Sequence, residues 1–119
     1  MINVPEFVDG KKLNVAVAKL LLENNLKISV AESLTGGEVA AKLVDIPGIS
    51  KSFIEGIVAY ANEAKMNRLG VSAETLIKYG AVSEETAKEM AEGLIKGDVT
   101  VSVSTTGIAG PKTVFSNGC

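Results

Sequence analysis

Three short stretches carry residues whose types and spacing could do chemistry. They are Ala31-Glu32-Ser33-Leu34-Thr35-Gly36-Gly37, Tyr60-Ala61-Asn62-Glu63-Ala64-Lys65 and Ser104-Thr105-Thr106-Gly107-Ile108-Ala109-Gly110-Pro111. In the first, Ser33 lies just ahead of an expected helix start, where backbone N–H groups are unpaired and the helix dipole is positive. Such a place favours an anion, or an oxyanion developing beside a nucleophile. Gly36 and Gly37 let a ligand approach the backbone and are the candidates for oxyanion or phosphate contacts. The alternative is a plain capped turn. The phosphate-loop spacing G-x-x-x-x-G-K-[ST] is absent. In the second stretch, Asn62 as cap places Lys65 at the third helical position, facing the positive end of the dipole. That position suits a structural lysine poorly. It suits a catalytic one, because the dipole lowers the lysine pKa toward neutrality, and a neutral lysine can deprotonate a serine. The alternative is a solvated side chain, the usual state of lysine. The third stretch is a strand end running into a glycine-rich loop. Its N–H groups, that of Gly107 among them, can face phosphate or carboxylate; the alternative is a turn that the fold requires.

The rest of the inventory removes competing chemistries. The chain has no His, so Ser-His-Asp and Cys-His mechanisms are excluded, as are His-ligated metals. The single Cys is Cys119, so neither an intrachain disulfide nor a Cys-cluster site can form, and no metal is expected. There is no Trp; Phe7, Phe53, Phe115, Tyr60 and Tyr79 are the aromatic residues, and the net charge is −2. A base-stacking or phosphate-attracting surface is therefore not expected, and nucleic acid is not an expected partner. Met1–Gly10 carries Glu6 and Asp9 and does not read as a targeting segment, and the apolar runs fall well short of the roughly 20 residues of a spanning helix. A cytoplasmic protein is expected. With 119 residues, 46% hydrophobic and 22% charged, the chain suits one globular domain over residues 1–119.

The elements that must position these loops follow from periodicity. Leu13, Val17, Leu20, Leu21 and Asn24 recur at helical spacing, predicting a helix over Lys12–Asn25, with Asp9 as its start signal. A short strand follows at Lys27–Glu32. Thr35 with Glu38 three residues on is a capping-box pattern, predicting a helix from Thr35 to about Val44 that Ile46-Pro47-Gly48 breaks. Phe53–Ala61 reads as a strand. Helices are expected from Asn62 to Leu69, from Ser72 to Tyr79 and from Ser83 onward, the last with Ala87, Met90, Ala91, Leu94 and Ile95 as its buried stripe and Gly97 as its stop. Val99–Thr105 alternates as a third strand, and Thr113–Phe115 could begin a fourth. Strands alternating with helices imply an α/β fold with crossover connections and at least partly parallel pairing. All three loops follow strands, so parallel pairing brings them to one sheet edge, where ligands bind in such folds.

Taken together the strings are more specific than any one alone. A-E-S-L-T-G-G at Ala31–Gly37, G-I-V-A-Y-A-N-E-A-K at Gly56–Lys65, L-G-V at Leu69–Val71, Y-G-A-V-S at Tyr79–Ser83 and T-G-I-A-G-P at Thr106–Pro111 resemble the C-terminal domain of the CinA (competence/damage-inducible) family in order and spacing. The resemblance implies a three-layer α/β/α sandwich with a mostly parallel or mixed central sheet. It implies a nicotinamide-nucleotide amidase, converting nicotinamide mononucleotide to nicotinate mononucleotide and ammonia without metal or cofactor. By position, Ser33 would be the nucleophile, Lys65 the general base and Tyr60 a support for proton transfer or lysine orientation. Thr35, Gly36, Gly37, Thr106 and Gly107 are the expected substrate-binding residues. A homodimer acting on a small nucleotide, with no membrane partner, is the expected assembly. Family members continue past G-I-A-G-P with a further strand and a closing helix that brings in a basic residue. Here Pro111 is followed by Lys112–Cys119, so that C-terminal strand and helix are expected to be missing. A catalytically inactive nucleotide-binding or protein-interaction domain of the same fold is the alternative expectation. Two roles stay open for Glu32: holding the Ser33 loop by hydrogen bonds, or acting on protons itself.

Overall fold

A computed structural model describes residues 13–107. Its elements are α1 (Leu13–Glu23), β1 (Ile28–Glu32), α2 (Glu38–Val44), a 3-10 turn at Ile49–Lys51, β2 (Phe53–Val58), α3 (Asn62–Leu69), α4 (Ala73–Tyr79), α5 (Glu84–Glu92) and β3 (Val101–Ser104). The described strands form one wholly parallel sheet in the order β2-β1-β3. All five residues of the central strand β1 are buried. A central parallel strand is covered on both faces, which is why β1 does not show the polar alternation of a half-exposed strand.

Successive β1 side chains point to opposite faces. On one face Ile28 and Val30 pack with Ala18 and Leu21 of α1, Leu43 of α2 and Ile49. On the other, Ala31 packs with Ala59, Leu69, Val71, Met90 and Leu94, the layer built by α3 and α5. The result is the expected three-layer α/β/α sandwich. Close backbone approach holds the second layer: a Cβ on Gly93 would lie 1.9 Å from the Leu69 carbonyl oxygen. Polar ties join its parts. Ser102 and Ser104 of β3 donate to the Ala91 and Ala87 carbonyls of α5 at 2.8 and 2.6 Å. The Glu89 carboxylate accepts from the Ser72 N–H and the Thr75 hydroxyl at the start of α4.

The helix starts agree with expectation in two cases and differ in two. Ser72 and Ser83 cap α4 and α5, accepting from the Thr75 and Thr86 N–H groups at 3.0 and 3.1 Å. Thr35 does not cap α2. That helix begins at Glu38, its cap position is Gly37 at φ +112°, and no cap side chain bonds to it. A carboxylate from the preceding strand, Glu32, reaches the first-turn N–H groups instead. Asn62 is the first residue of α3 and Ala61 the cap residue, again without a side-chain bond. Helix α5 stops at Glu92 rather than near Gly97, which leaves Ile95 half exposed while Leu94 stays buried. The expected element at Thr113–Phe115 and the Asp9 start signal lie outside the described residues.

The topology sets where the candidate site lies. β1 and β2 are neighbours whose C-terminal ends are level, with Glu32 opposite Val58. The chain leaves β1 for α2 on one face and leaves β2 for α3 on the other. The carboxyl ends of adjacent parallel strands with exits to opposite faces are the place where α/β sheets bind ligands. Among the described residues no helix is long and apolar enough to cross a membrane.

Candidate active site

Ser33 follows the last residue of β1, and Lys65 sits in the first turn of α3. With Ala61 as cap, Lys65 is the fourth helical residue, one later than expected, and its N–H closes the first helical bond to the Ala61 carbonyl at 3.1 Å. The side chain runs inward, away from solvent, and is only 1% exposed. Its Nζ donates to Ser33 Oγ at 3.2 Å and to the Tyr60 carbonyl oxygen at 2.6 Å. Ser33 is also buried. No carboxylate balances the lysine: among the described residues the one ion pair is Lys42–Glu38, on the surface. Burial pushes the Lys65 ammonium below the usual lysine pKa. The cause is desolvation of the charged form. A buried lysine that loses its proton readily and touches a serine hydroxyl is equipped to accept that hydroxyl's proton.

Tyr60 contributes to this arrangement through its backbone. Its side chain is 67% exposed, and the atom that orients Lys65 is the carbonyl oxygen, not the phenol.

The loop after Ser33 is held from within. The Gly36 N–H donates to the Ser33 carbonyl at 3.1 Å. Gly36 and Gly37 both take positive φ, +64° and +112°, which favours glycine at these turn positions. The Gly37 N–H faces the Glu32 carboxylate. Of the two backbone donors expected to meet an oxyanion or phosphate, that of Gly36 is spent on the turn itself.

Glu32 is the main group that the sequence left undecided. It is 1% exposed and accepts from the Thr35 hydroxyl at 2.6 Å, the Val39 N–H at 2.8 Å and the Ala40 N–H at 2.9 Å. Burial raises the carboxyl pKa, but the bonds from Thr35, Ala40, Val39 and Gly37 outweigh it and hold the group below the usual glutamate value. Its hydrogen bonds make it a structural acceptor that holds the loop after Ser33. Thr35 is thus engaged with Glu32 rather than directed outward.

At the end of β3 neighbouring threonines divide the work. Thr106 is buried and donates to the Ala81 carbonyl at 2.7 Å, tying the strand end to the segment before α5. Thr105 is the one beside Ser33: its Oγ1 lies 2.9 Å from Thr35 Oγ1 and accepts from the Ser33 N–H at 3.4 Å. Thr105 was not among the expected site residues. Its signal was present only as the alternation of the strand, which must send adjacent side chains to opposite sides. Gly107 is partly buried beside it. Among the described residues no group of three or more His, Cys, Asp or Glu side chains could hold a metal ion.

The family model for the CinA C-terminal domain matches residues 10–117. A competence-damage inducible protein of Clostridioides difficile is 59% identical over 100 residues, covering 83% of this chain and 24% of that protein. A CinA-like protein of Kosmotoga olearia is 57% identical over 105 residues, covering 87% and 26%. The chain thus spans about a quarter of the length of these curated relatives. Among solved structures, a competence-damaged protein (CinA) superfamily protein from Escherichia coli superposes with a TM-score of 0.84 at 35% identity, over 94% of this chain and 67% of that one. The competence/damage inducible protein CihA from Agrobacterium tumefaciens gives 0.83 at 39% identity, over 98% and 70%. The family model, the sequence identities and the superposed backbones therefore lead to one assignment: the chain belongs to the CinA C-terminal domain family.

Proposed function

We propose that the chain is an amidase that hydrolyses the carboxamide of nicotinamide mononucleotide, with Ser33 as nucleophile and Lys65 as general base. The observation that carries the mechanism is the 3.2 Å contact between Lys65 Nζ and Ser33 Oγ, made out of solvent in a chain without histidine. The substrate class follows from the resemblance of the loop motifs to nicotinamide-nucleotide amidases.

Ser33 Oγ attacks the carboxamide carbon while its proton passes to the neutral Lys65 Nζ. The lysine ammonium formed in this step lies beside the developing oxyanion and stabilises it electrostatically. Lys65 then returns the proton to the amide nitrogen, the C–N bond breaks, and ammonia leaves an acyl ester on Ser33. Water attacks the ester, its proton going to Lys65. Collapse of the second tetrahedral species returns that proton to Ser33 Oγ and releases the carboxylate product. The Tyr60 carbonyl keeps Nζ aimed at Ser33 through both half-reactions.

Incubating the chain with nicotinamide mononucleotide is expected to release ammonia and nicotinate mononucleotide in equal amounts. Binding of the nucleotide without turnover would instead support the interaction-domain alternative and overturn the amidase reading.

A further inference from the structure

We infer that Glu32 is a positioning residue for Ser33, acting through Thr35 and Thr105 as a hydrogen-bonded chain whose direction the carboxylate fixes. The inference rests on the serine–lysine reading of the site. It starts from a cost: a carboxylate 1% exposed in a central strand is expensive to bury unless both its oxygens are hydrogen-bonded. Glu32 meets that requirement with donors drawn almost entirely from the loop and helix that follow the nucleophile. Thr35, Val39 and Ala40 all donate to it.

Counting protons then fixes the direction of the rest. An ionised carboxylate only accepts, so the single hydroxyl proton of Thr35 goes to Glu32 Oε1 at 2.6 Å. In the 2.9 Å contact between the two threonine hydroxyls, Thr35 must therefore accept and Thr105 must donate. Thr105 Oγ1 is left as an acceptor, and the group facing it is the Ser33 N–H, at 3.4 Å. The chain runs one way: Ser33 N–H to Thr105, Thr105 to Thr35, Thr35 to Glu32. Its first link, from the Ser33 N–H, is the longest, as site hydrogen bonds often are before substrate binds.

This chain also joins parts of the molecule that are distant in sequence. The Thr105 N–H is held by the Ala31 carbonyl at 2.9 Å, so the threonine is a fixed post at the end of β3. The Ser33 peptide is gripped on its N–H side by Thr105 and on its carbonyl side by the Gly36 N–H at 3.1 Å. With both ends held, Oγ stays within reach of Lys65. A group with no partner change during reaction acts by geometry alone, so its loss should slow acylation without weakening substrate binding.

Two readouts test this in parallel: turnover of nicotinamide mononucleotide, and the rate at which a fluorophosphonate probe labels Ser33, which reports the nucleophile independently of the substrate. Thr105→Val and Thr35→Val, which keep shape and lose the hydroxyl, are each expected to lower kcat and the labelling rate by about 10- to 100-fold with KM little changed. The double variant is expected to lose no more than the worse single one, because both break the same chain. Thr35→Ser, which restores the hydroxyl, is expected to recover most of the lost rate. Parental labelling rates in both valine variants, additive losses in the double variant, or a change confined to KM would overturn the proposal. Labelling of Ser33 with no ammonia release would sink the substrate assignment while leaving the chain testable through the probe. No labelling of Ser33 in the parent protein would overturn both.

Discussion

Lys65 Nζ lies 3.2 Å from Ser33 Oγ, and both side chains are buried, with no carboxylate paired to the lysine among the described residues. This relationship sets the sign of most effects expected from the site. An unpaired buried ammonium is costly to the fold and useful to the chemistry for the same reason: desolvation favours its neutral form.

The first consequence is a pH dependence. Only the neutral lysine can take the serine proton, so kcat/KM should rise with pH along one limb. The midpoint of that limb should lie below the ordinary lysine value of about 10.4, because burial lowers the Lys65 pKa. Lys65→Arg should abolish the limb and the activity together, since a guanidinium stays protonated across the range. A pH–rate profile of parent and variant checks both points.

The Lys65 contribution to stability should rise with pH, as activity does, but the side chain that serves activity costs stability. The Lys65 pKa is lower in the folded state than in the unfolded one, so its cost to folding is full below the folded value. That cost is relieved as pH rises toward the unfolded lysine value. Lys65→Met should therefore be inactive yet more stable at pH 7, by about 1 kcal/mol. The advantage should shrink as pH approaches about 10. Denaturant melts of both proteins at several pH values measure this.

Glu32 has the reverse linkage. Its folded pKa is lowered, so the stability it contributes is present above the ordinary carboxylate value and is lost as pH falls through the folded value. Glu32→Ala strands the Thr35, Val39 and Ala40 donors and should cost about 3 kcal/mol or more at pH 7. Glu32→Gln should flatten the acid limb of the stability profile. Melts between neutral and acid pH check the slope.

Two packing changes separate a tight contact from an unused polar group. Gly93→Ala drives a Cβ to 1.9 Å from the Leu69 carbonyl, backbone against backbone, and should destabilise by about 3 kcal/mol or more. Ser29→Ala removes a buried hydroxyl that has no hydrogen-bond partner among the described residues, and should be neutral or stabilising by up to about 1 kcal/mol. Thermal melts of the two variants should shift in opposite directions or, for Ser29→Ala, not fall.

The sequence made the scaffold legible because its signals were local. The capping serines Ser72 and Ser83, the alternation of Val101–Ser104 and the glycines at positive φ each act within a few residues. The cap of α2 was misread because the winning group is not local: Glu32 lies in the preceding strand and reaches across the turn, so a carboxylate displaces the threonine hydroxyl that spacing favoured. Ser33 and Lys65 could be nominated from the loops that carry them. Their contact could not be derived from local periodicity, since it needs β1 and β2 adjacent with divergent exits. Which of Thr105 and Thr106 comes to lie beside Ser33 depends on where β3 ends in its register with β1, which local periodicity does not give. Glu32 did leave a trace: a charge at the end of an otherwise apolar central strand must be paired, and its partners had to come from the loop beside it.

The most direct test of the central claim compares ammonia release from nicotinamide mononucleotide by the parent, Ser33→Ala and Lys65→Ala proteins, with circular dichroism to show that the fold is kept. The account expects release by the parent and a fall of about a thousandfold or more in each variant, with no further loss when the two are combined. Release that survives both substitutions in folded protein would contradict it.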